Sequence, residues 1–234
     1  MLLRTCALLL CTASIAGLGL AEELTTATDP LPRGTFTTWD HSDQWKIKNA
    51  LAAAPDFISA HATVVDWVDP RIAGKLDMGR VLRKGTNGWT CMPDIPGRPQ
   101  HDPMCADEPM MEILMDIIAG RTPTVKKVGL SYMLLGEARQ GQGAGPAKDP
   151  REVKEWFYIG PHIMVALPAE SVSALDGINQ DLKNGLPYTS LLNPKVNVPI
   201  WVIPVRSGER IPQARIPAAK NLSRTKTTSH LKPQ

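Results

Sequence analysis

Cys91 and Cys105 bracket a segment, 92–104, that carries Pro93, Pro96, Gly97, Pro99 and Pro103. Proline fixes φ and donates no backbone hydrogen bond, so a stretch this rich in it cannot build a ladder or a helix of its own. A covalent bond between the flanking cysteines substitutes for the missing hydrogen bonds, and closing a loop of about 15 residues stabilises a fold by roughly 3 kcal/mol in the chain-entropy picture. Thiolate ligation of a metal is the rival use of the pair, but the spacing is wider than that of zinc motifs. The disulfide reading holds only in an oxidising compartment.

The amino terminus bears on that condition. Arg4 gives a short positive start, 7–20 is a mostly apolar run, and Gly19, Leu20 and Ala21 place small residues at the two positions read before Glu22. This is the pattern of a secretory signal, 1–21, cleaved after Ala21. A lipoprotein signal would need a small residue before the cysteine, and Leu10 precedes Cys11. The run is short for a bilayer span, and no twin arginine precedes it. Removal takes Cys6 and Cys11, which leaves Cys91 and Cys105 to form one disulfide in a periplasmic or secreted protein.

Charge divides the remaining chain. Arg4 is one of 26 basic residues, so 25 face 23 acidic ones after cleavage. Seven of those bases (Arg206, Arg210, Arg215, Lys220, Arg224, Lys226 and Lys232) lie in 206–234 with Glu209 alone, which makes that tail +6 and 22–205 −4. A mildly acidic body does not fit a nucleic-acid-binding domain. The tail lacks apolar spacing and reads as disordered, and Asn221 in it is formally a glycan acceptor. No apolar run near twenty residues remains, so no integral membrane domain is expected.

Local signals outline one domain over 41–205, preceded by a turn-rich linker, 22–40. Ser42 or Asp43 can cap a helix that runs to about Ala54 and stops at Pro55. Asp107 caps a second, with Pro109 in its first turn and Gly120 just past its end. Glu108, Glu112 and Asp116 form one narrow acidic stripe on this second helix, and the rest of its circumference is apolar. That predicts a central, mostly buried helix whose only wet side is the stripe. Strands are expected at 61–67, 79–82, 125–135, 156–159, 162–167 and 199–205, a glycine-rich loop at 136–150 and a short helix at 169–176. Strands and helices do not alternate, so the fold class is α+β with a mixed or antiparallel sheet.

Chemistry concentrates around the crosslinked loop. Asp94, His101, Asp102, Asp107 and Glu108 lie there with Trp89 beside them, a set that could hold a divalent metal, supply a general base, or simply be solvated. Met92, Met104, Met110, Met111 and Met115 add thioethers, which with an imidazole suit Cu(I), although three of them fall on the second helix as ordinary core. His162 follows Gly160 and Pro161 at a strand entry, where it lines a cleft or serves as a structural histidine, and Trp156, Phe157 and Tyr158 before it wall a ligand or cap the core. Gly136, Gly141, Gly143 and Gly145 lack the Lys and Ser/Thr of a phosphate loop, Ser223 and Lys226 lie in the tail, and neither Gly-x-Ser-x-Gly nor His-Glu-x-x-His occurs.

The run Gly85-Thr86-Asn87-Gly88-Trp89-Thr90-Cys91-Met92-Pro93, then Asp102-Pro103-Met104-Cys105, Gly129 with Ser131-Tyr132-Met133-Leu134, and Gly160-Pro161-His162-Ile163-Met164, resembles a family of uncharacterised exported bacterial proteins over about 52–205. Two departures stand out. A Ser-Asn-x-Asp-Pro-like loop is here the glycine-rich stretch ending in Asp149 and Pro150, and a histidine associated with the family's last strand is absent from 199–205. If that histidine pairs with the position of His162 in relatives, this chain has lost half a site. The resemblance implies compartment and domain extent and carries no activity with it.

The expectation is therefore an exported, disulfide-stapled α+β protein acting as a binding or interaction module of the cell envelope, with Trp89, His101, Asp102, Tyr132 and His162 as candidate ligand-binding residues. The alternative is a metal-dependent enzyme or a metal-binding protein, copper included, built on His101 or His162. A structural protein with no ligand is the third reading. No cofactor or partner is assigned.

Overall fold

The computed structural model describes residues 16–69, 76–140, 150–168, 170–171, 186–192, 198–205 and 215–217. Helix α1 (Ala16–Thr26) crosses the expected cleavage point, and residues 1–15 of the expected signal lie outside the described residues. Among the described residues no helix is long and apolar enough to cross a membrane. Most of 169–176, nearly all of the glycine-rich loop's second half and most of the tail also fall outside them.

Helix α2 (Asp43–Leu51) starts where Ser42 accepts the Trp45 N–H at 3.2 Å, and α3 (Asp56–Ser59) follows Pro55. The chain then enters β1 (Thr63–Val68), β2 (Asp77–Arg83), β3 (Thr90–Met92) and β4 (Met104–Ala106). Helix α4 (Glu108–Ile118) leads to β5 (Gly129–Met133) and β6 (Glu137–Gln140). After a 3₁₀ turn at Pro150–Glu152 come β7 (Glu155–Ile159), β8 (His162–Ala166), β9 (Tyr188–Leu191), β10 (Pro199–Pro204) and β11 (Arg215–Pro217). The α+β class with a mixed sheet is what the chain forms. Among the described residues eight strands order as β2-β1-β3-β4-β5-β8-β10-β9, with only β1 and β3 parallel, and β11-β7-β6 make a second, antiparallel sheet.

The disulfide between Cys91 and Cys105 joins residues directly opposite each other in the β3–β4 ladder. Met92 and Met104 also pair there, so the ladder reaches one residue further into the crosslinked segment than its prolines allow for in sequence. Alternation of side chains puts the two cysteines and Tyr132 on one face of the sheet and Ala106, Ser131 and Met133 on the other. The cysteine face is covered by α2, α3 and the turn between them, through Ala50, Ile58, Ala53 and Ala54. The opposite face is covered by α4, whose Met110 and Ile113 pack on Met133, Met164, Ala166, Ile200 and Val202.

Helix α4 keeps both predicted boundary signals. Asp107 accepts the Met110 N–H at 2.9 Å and the Leu130 N–H at 3.0 Å, so one carboxylate caps the helix and ties it to β5, and Gly120 takes φ +73° past the end. At Gly129 a Cβ would stand 2.9 Å from the Met110 nitrogen, so only glycine lets the first turn of α4 lie this close to the strand. The helix is not the buried centre of the molecule, however. Of its residues Met110 and Ile113 are buried, Met115 is 38% exposed, and the acidic stripe is thus not its only wet side. An apolar stripe more than half the circumference wide lies on a single sheet face, and only its middle can be covered.

Strands β5–β6 and β7–β8 are two long arms that pair with each other throughout, β5 with β8 and β6 with β7. Both arms break at the same level, one at Gly136 (φ +81°) and the other at Gly160 and Pro161, which separates the two sheets. A side chain at Gly136 would overlap the Ile159 carbonyl and the Gln100 amide. Strand β6 occupies the start of the stretch predicted to be loop, and Arg215–Pro217 of the expected disordered tail pairs with β7. The segment read as a linker, 22–40, packs against the domain, with Ala27 and Thr37 buried.

Candidate functional site

The crosslinked loop has few backbone partners, and two carboxylates replace them. Asp94 Oδ1 accepts the Asp102 N–H at 2.9 Å, and Asp102 Oδ1 accepts the Ile95 N–H at 2.8 Å, so each aspartate holds the backbone beside the other. Asn49 of α2 accepts the Asp94 N–H at 2.8 Å through its side-chain oxygen and donates to the Ala27 carbonyl at 2.8 Å. Arg98 donates to the Ala138 carbonyl of β6, and its Nε lies 3.6 Å from Asp102 Oδ2. All of these groups are buried.

His101, 3% exposed, is held at both ring nitrogens. Nδ1 bonds Asp94 Oδ2, and Nε2 bonds the Asp29 carbonyl at 2.8 Å. Nε2 carries hydrogen because a carbonyl can only accept, and a carboxylate at Nδ1 asks the same of that nitrogen, while the Asn49 amide nitrogen also approaches Nδ1 at 3.4 Å; the charged ring is the form that serves both acceptors. Its pKa lies above the ordinary 6.5: burial pulls it down, and the hydrogen bond and charge of Asp94, the Asp29 carbonyl and the charge of Asp102 outweigh that pull. Burial drives the Asp102 carboxyl well above its usual range, against the neighbouring Arg98 charge and with the added repulsion of Asp94. His41 stacks on Trp45 with ring centroids 3.4 Å apart, Trp45 lies 6.0 Å from the His101 ring, and burial lowers the His41 pKa although Asp94 opposes it.

His162, 1% exposed, is the opposite case. Its Nδ1–H donates to the Gly160 carbonyl at 2.7 Å, which leaves a lone pair on Nε2. Nε2 has no hydrogen bond among the described residues and stands 3.9 Å from Glu137 Oε1, itself 3.9 Å from Arg139 Nε. Burial lowers the His162 pKa in spite of the Glu137 charge, which favours the neutral imidazole. The break in the two arms creates the juxtaposition: Glu137 opens β6 and His162 opens β8, on either side of it.

The candidates chosen from sequence thus separate into three places. His101 and Asp102 join with Asp94 in the loop, His162 sits at the break with Glu137, and Trp89 meets Tyr132 beside the disulfide with ring centroids 5.6 Å apart. Both nitrogens of His101, expected as a candidate metal ligand or base, are engaged by Asp94 and the Asp29 carbonyl. No cluster of three or more His, Cys, Asp or Glu among the described residues is placed to hold a metal. The methionines also scatter, with Met92 opposite Met104 in the ladder, Met110 in the core and Met115 facing solvent. Sequence reasoning missed Asn49, Arg98, Glu137 and Arg139. Asn49 could have been found as a polar residue on the alanine side of α2, and Glu137-Ala138-Arg139 as a period-two charge pattern that continues β5.

No protein-family model matches this chain, no curated protein matches it, and no solved structure matches it.

Proposed function

We propose that the protein is an exported binding or interaction module of the cell envelope. The observation that carries this reading is the commitment of His101, Asp94 and Asp102 to the fold itself, where each spends its hydrogen-bonding capacity on a neighbour rather than on an open site. Contact with other molecules then falls to the surface, where Phe57 is 76% exposed on α3 and the Trp89–Tyr132 pair is partly open. The disulfide and the resemblance to exported bacterial proteins support the compartment.

One observation favours the alternative, a metal-dependent or enzymatic role for His162: the unpartnered Nε2 lone pair beside Glu137. The two readings part on metal. Protein recovered from oxidising export is expected to contain no stoichiometric metal and to keep its melting temperature under a chelator. Stoichiometric metal, or a chelator-induced drop that His162→Gln abolishes, overturns the binding-module reading in favour of the alternative.

A further inference from the structure

The segment ahead of α2 is fastened to the domain at two points that differ in kind. The distal fastening is neutral: Thr37 N–H donates to the Arg98 carbonyl at 2.8 Å, Gly97 N–H to the Thr37 carbonyl at 2.9 Å, the Thr37 hydroxyl to the Ile95 carbonyl at 2.9 Å, and Arg98 N–H to that hydroxyl at 3.1 Å. The proximal fastening holds the chain between α1 and Pro30. There Asn49 Nδ2 takes the Ala27 carbonyl and His101 Nε2 takes the Asp29 carbonyl, with Lys48 on the Leu24 carbonyl and Glu23 on the Ser42 N–H at 2.9 Å further out.

We propose that His101 is a proton-gated clasp for this strap: the imidazolium bridges Asp94 and the Asp29 carbonyl, and loss of its proton releases that carbonyl and loosens residues 22–31 while the Thr37 fastening stays shut. A neutral imidazole has one N–H, so it can serve one acceptor and must present a lone pair to the other. The Asp94 carboxyl group, buried and tied to the Asp102 N–H and the loop, is the fixed and stronger acceptor, so the ring keeps its remaining N–H on Nδ1 and the Asp29 carbonyl is the contact released. The ionisable groups facing His101 agree with this. Asp94 and Asp102 favour its charge, Arg98 is bound up with Asp102, and burial lowers the pKa of His41, whose charge would oppose that of His101. The clasp therefore closes on the acid side and opens as pH rises past the folded pKa of His101, above 6.5. The carbonyl it acts on, that of Asp29, follows Ala21, so a chain cleaved there retains the device.

Two measurements on the full exported chain test it. Hydrogen exchange, corrected for its intrinsic pH dependence, is expected to show the Ser42 amide and the amides of 22–26 losing about tenfold or more in protection as pH rises through the step, while Thr37 and Gly97 keep theirs. In His101→Gln the proximal segment is loose at every pH and the step is gone. Nitrogen NMR of the imidazole, which needs no variant, is expected to show both His101 nitrogens protonated at about pH 6.5, where a free imidazole is only half so. A neutral tautomer at that pH, a step that survives His101→Gln, or parallel loss of protection at Thr37 overturns the proposal.

Discussion

Two histidines, both almost wholly buried, meet opposite fates in this molecule. At the crosslinked loop, backbone bent by prolines brings two acceptors to the His101 ring, and the ring stays charged inside the protein. At the break between the two sheets, one acceptor reaches His162 and the other nitrogen faces a carboxylate too far away to bond, so the ring is neutral. The difference lies in acceptor geometry rather than in depth of burial. Desolvation pushes both rings the same way, and only a second acceptor reverses it. One region is a lock made of charge, the other a core position with an unused lone pair.

The comparison breaks most visibly at Asp94. Asp94→Ala would strand a buried imidazolium and leave the Asp102 N–H without its acceptor. A loss of about 3 to 5 kcal/mol in denaturant unfolding is expected, as for other buried pairs deprived of one member. A loss under about 1 kcal/mol would mean that the loop is wet and that the contrast between the regions is wrong.

The disulfide comes next. Its removal by Cys91→Ser with Cys105→Ser is expected to cost roughly 3 kcal/mol, the chain-entropy value for a loop of about 15 residues. The loop loses protection from exchange first, and the break at Gly136 keeps its own. Two free thiols on labelling the unreduced native protein would remove the crosslink from the account altogether. Gly136→Ala reaches the other region: it forces φ +81° on an alanine and drives a Cβ into the Ile159 carbonyl, at an expected cost of about 1 to 3 kcal/mol. Here the His162 signals should shift while the His101 nitrogens do not.

How much of this could be read from the chain follows from the range of the forces involved. Ser42, Asp107 and Gly120 were legible because a cap is decided within a few residues. Strands β5, β7, β8 and β10 were legible because β-branched and aromatic residues mark them. Strands β3 and β4 were not, since three residues each carry no period and the ladder depends on a bond across the loop. Strand β6 was hidden because Glu137 and Arg139 look like loop residues until pairing with the other arm buries Glu137 and partly covers Arg139. The packed segment 22–40 was hidden for a similar reason: its partners are His101, Asn49 and Arg98, 22 to 72 residues away. Sequence placed His101 among carboxylates, and Asp94 does meet its ring. It could not show that a carbonyl from the far end of the chain would occupy the second nitrogen and convert a candidate base into a lock.

The smallest effect at neutral pH is also the sharpest test of the contrast, because it lies in a slope rather than a midpoint. His162→Gln exchanges one neutral side chain for another and is expected to change stability near pH 7 by about 1 kcal/mol or less. Its effect appears in acid. The folded pKa of His162 lies below 6.5, so the unfolded chain binds a proton that the native state refuses. The stability tied to this residue is therefore complete above 6.5 and drains away as pH falls through the folded value. His101 has the opposite sign: its folded pKa is raised, so its contribution is complete below 6.5 and is lost as pH climbs through the folded value. Unfolding measured across this range should accordingly lose part of its acid-side slope in His162→Gln and part of its alkaline-side slope in His101→Gln, with neither variant touching the other limb. An acid limb unchanged by His162→Gln would mean that Nε2 does acquire a proton in the native protein, shared with Glu137, and the two histidines would then be variants of one arrangement rather than opposites.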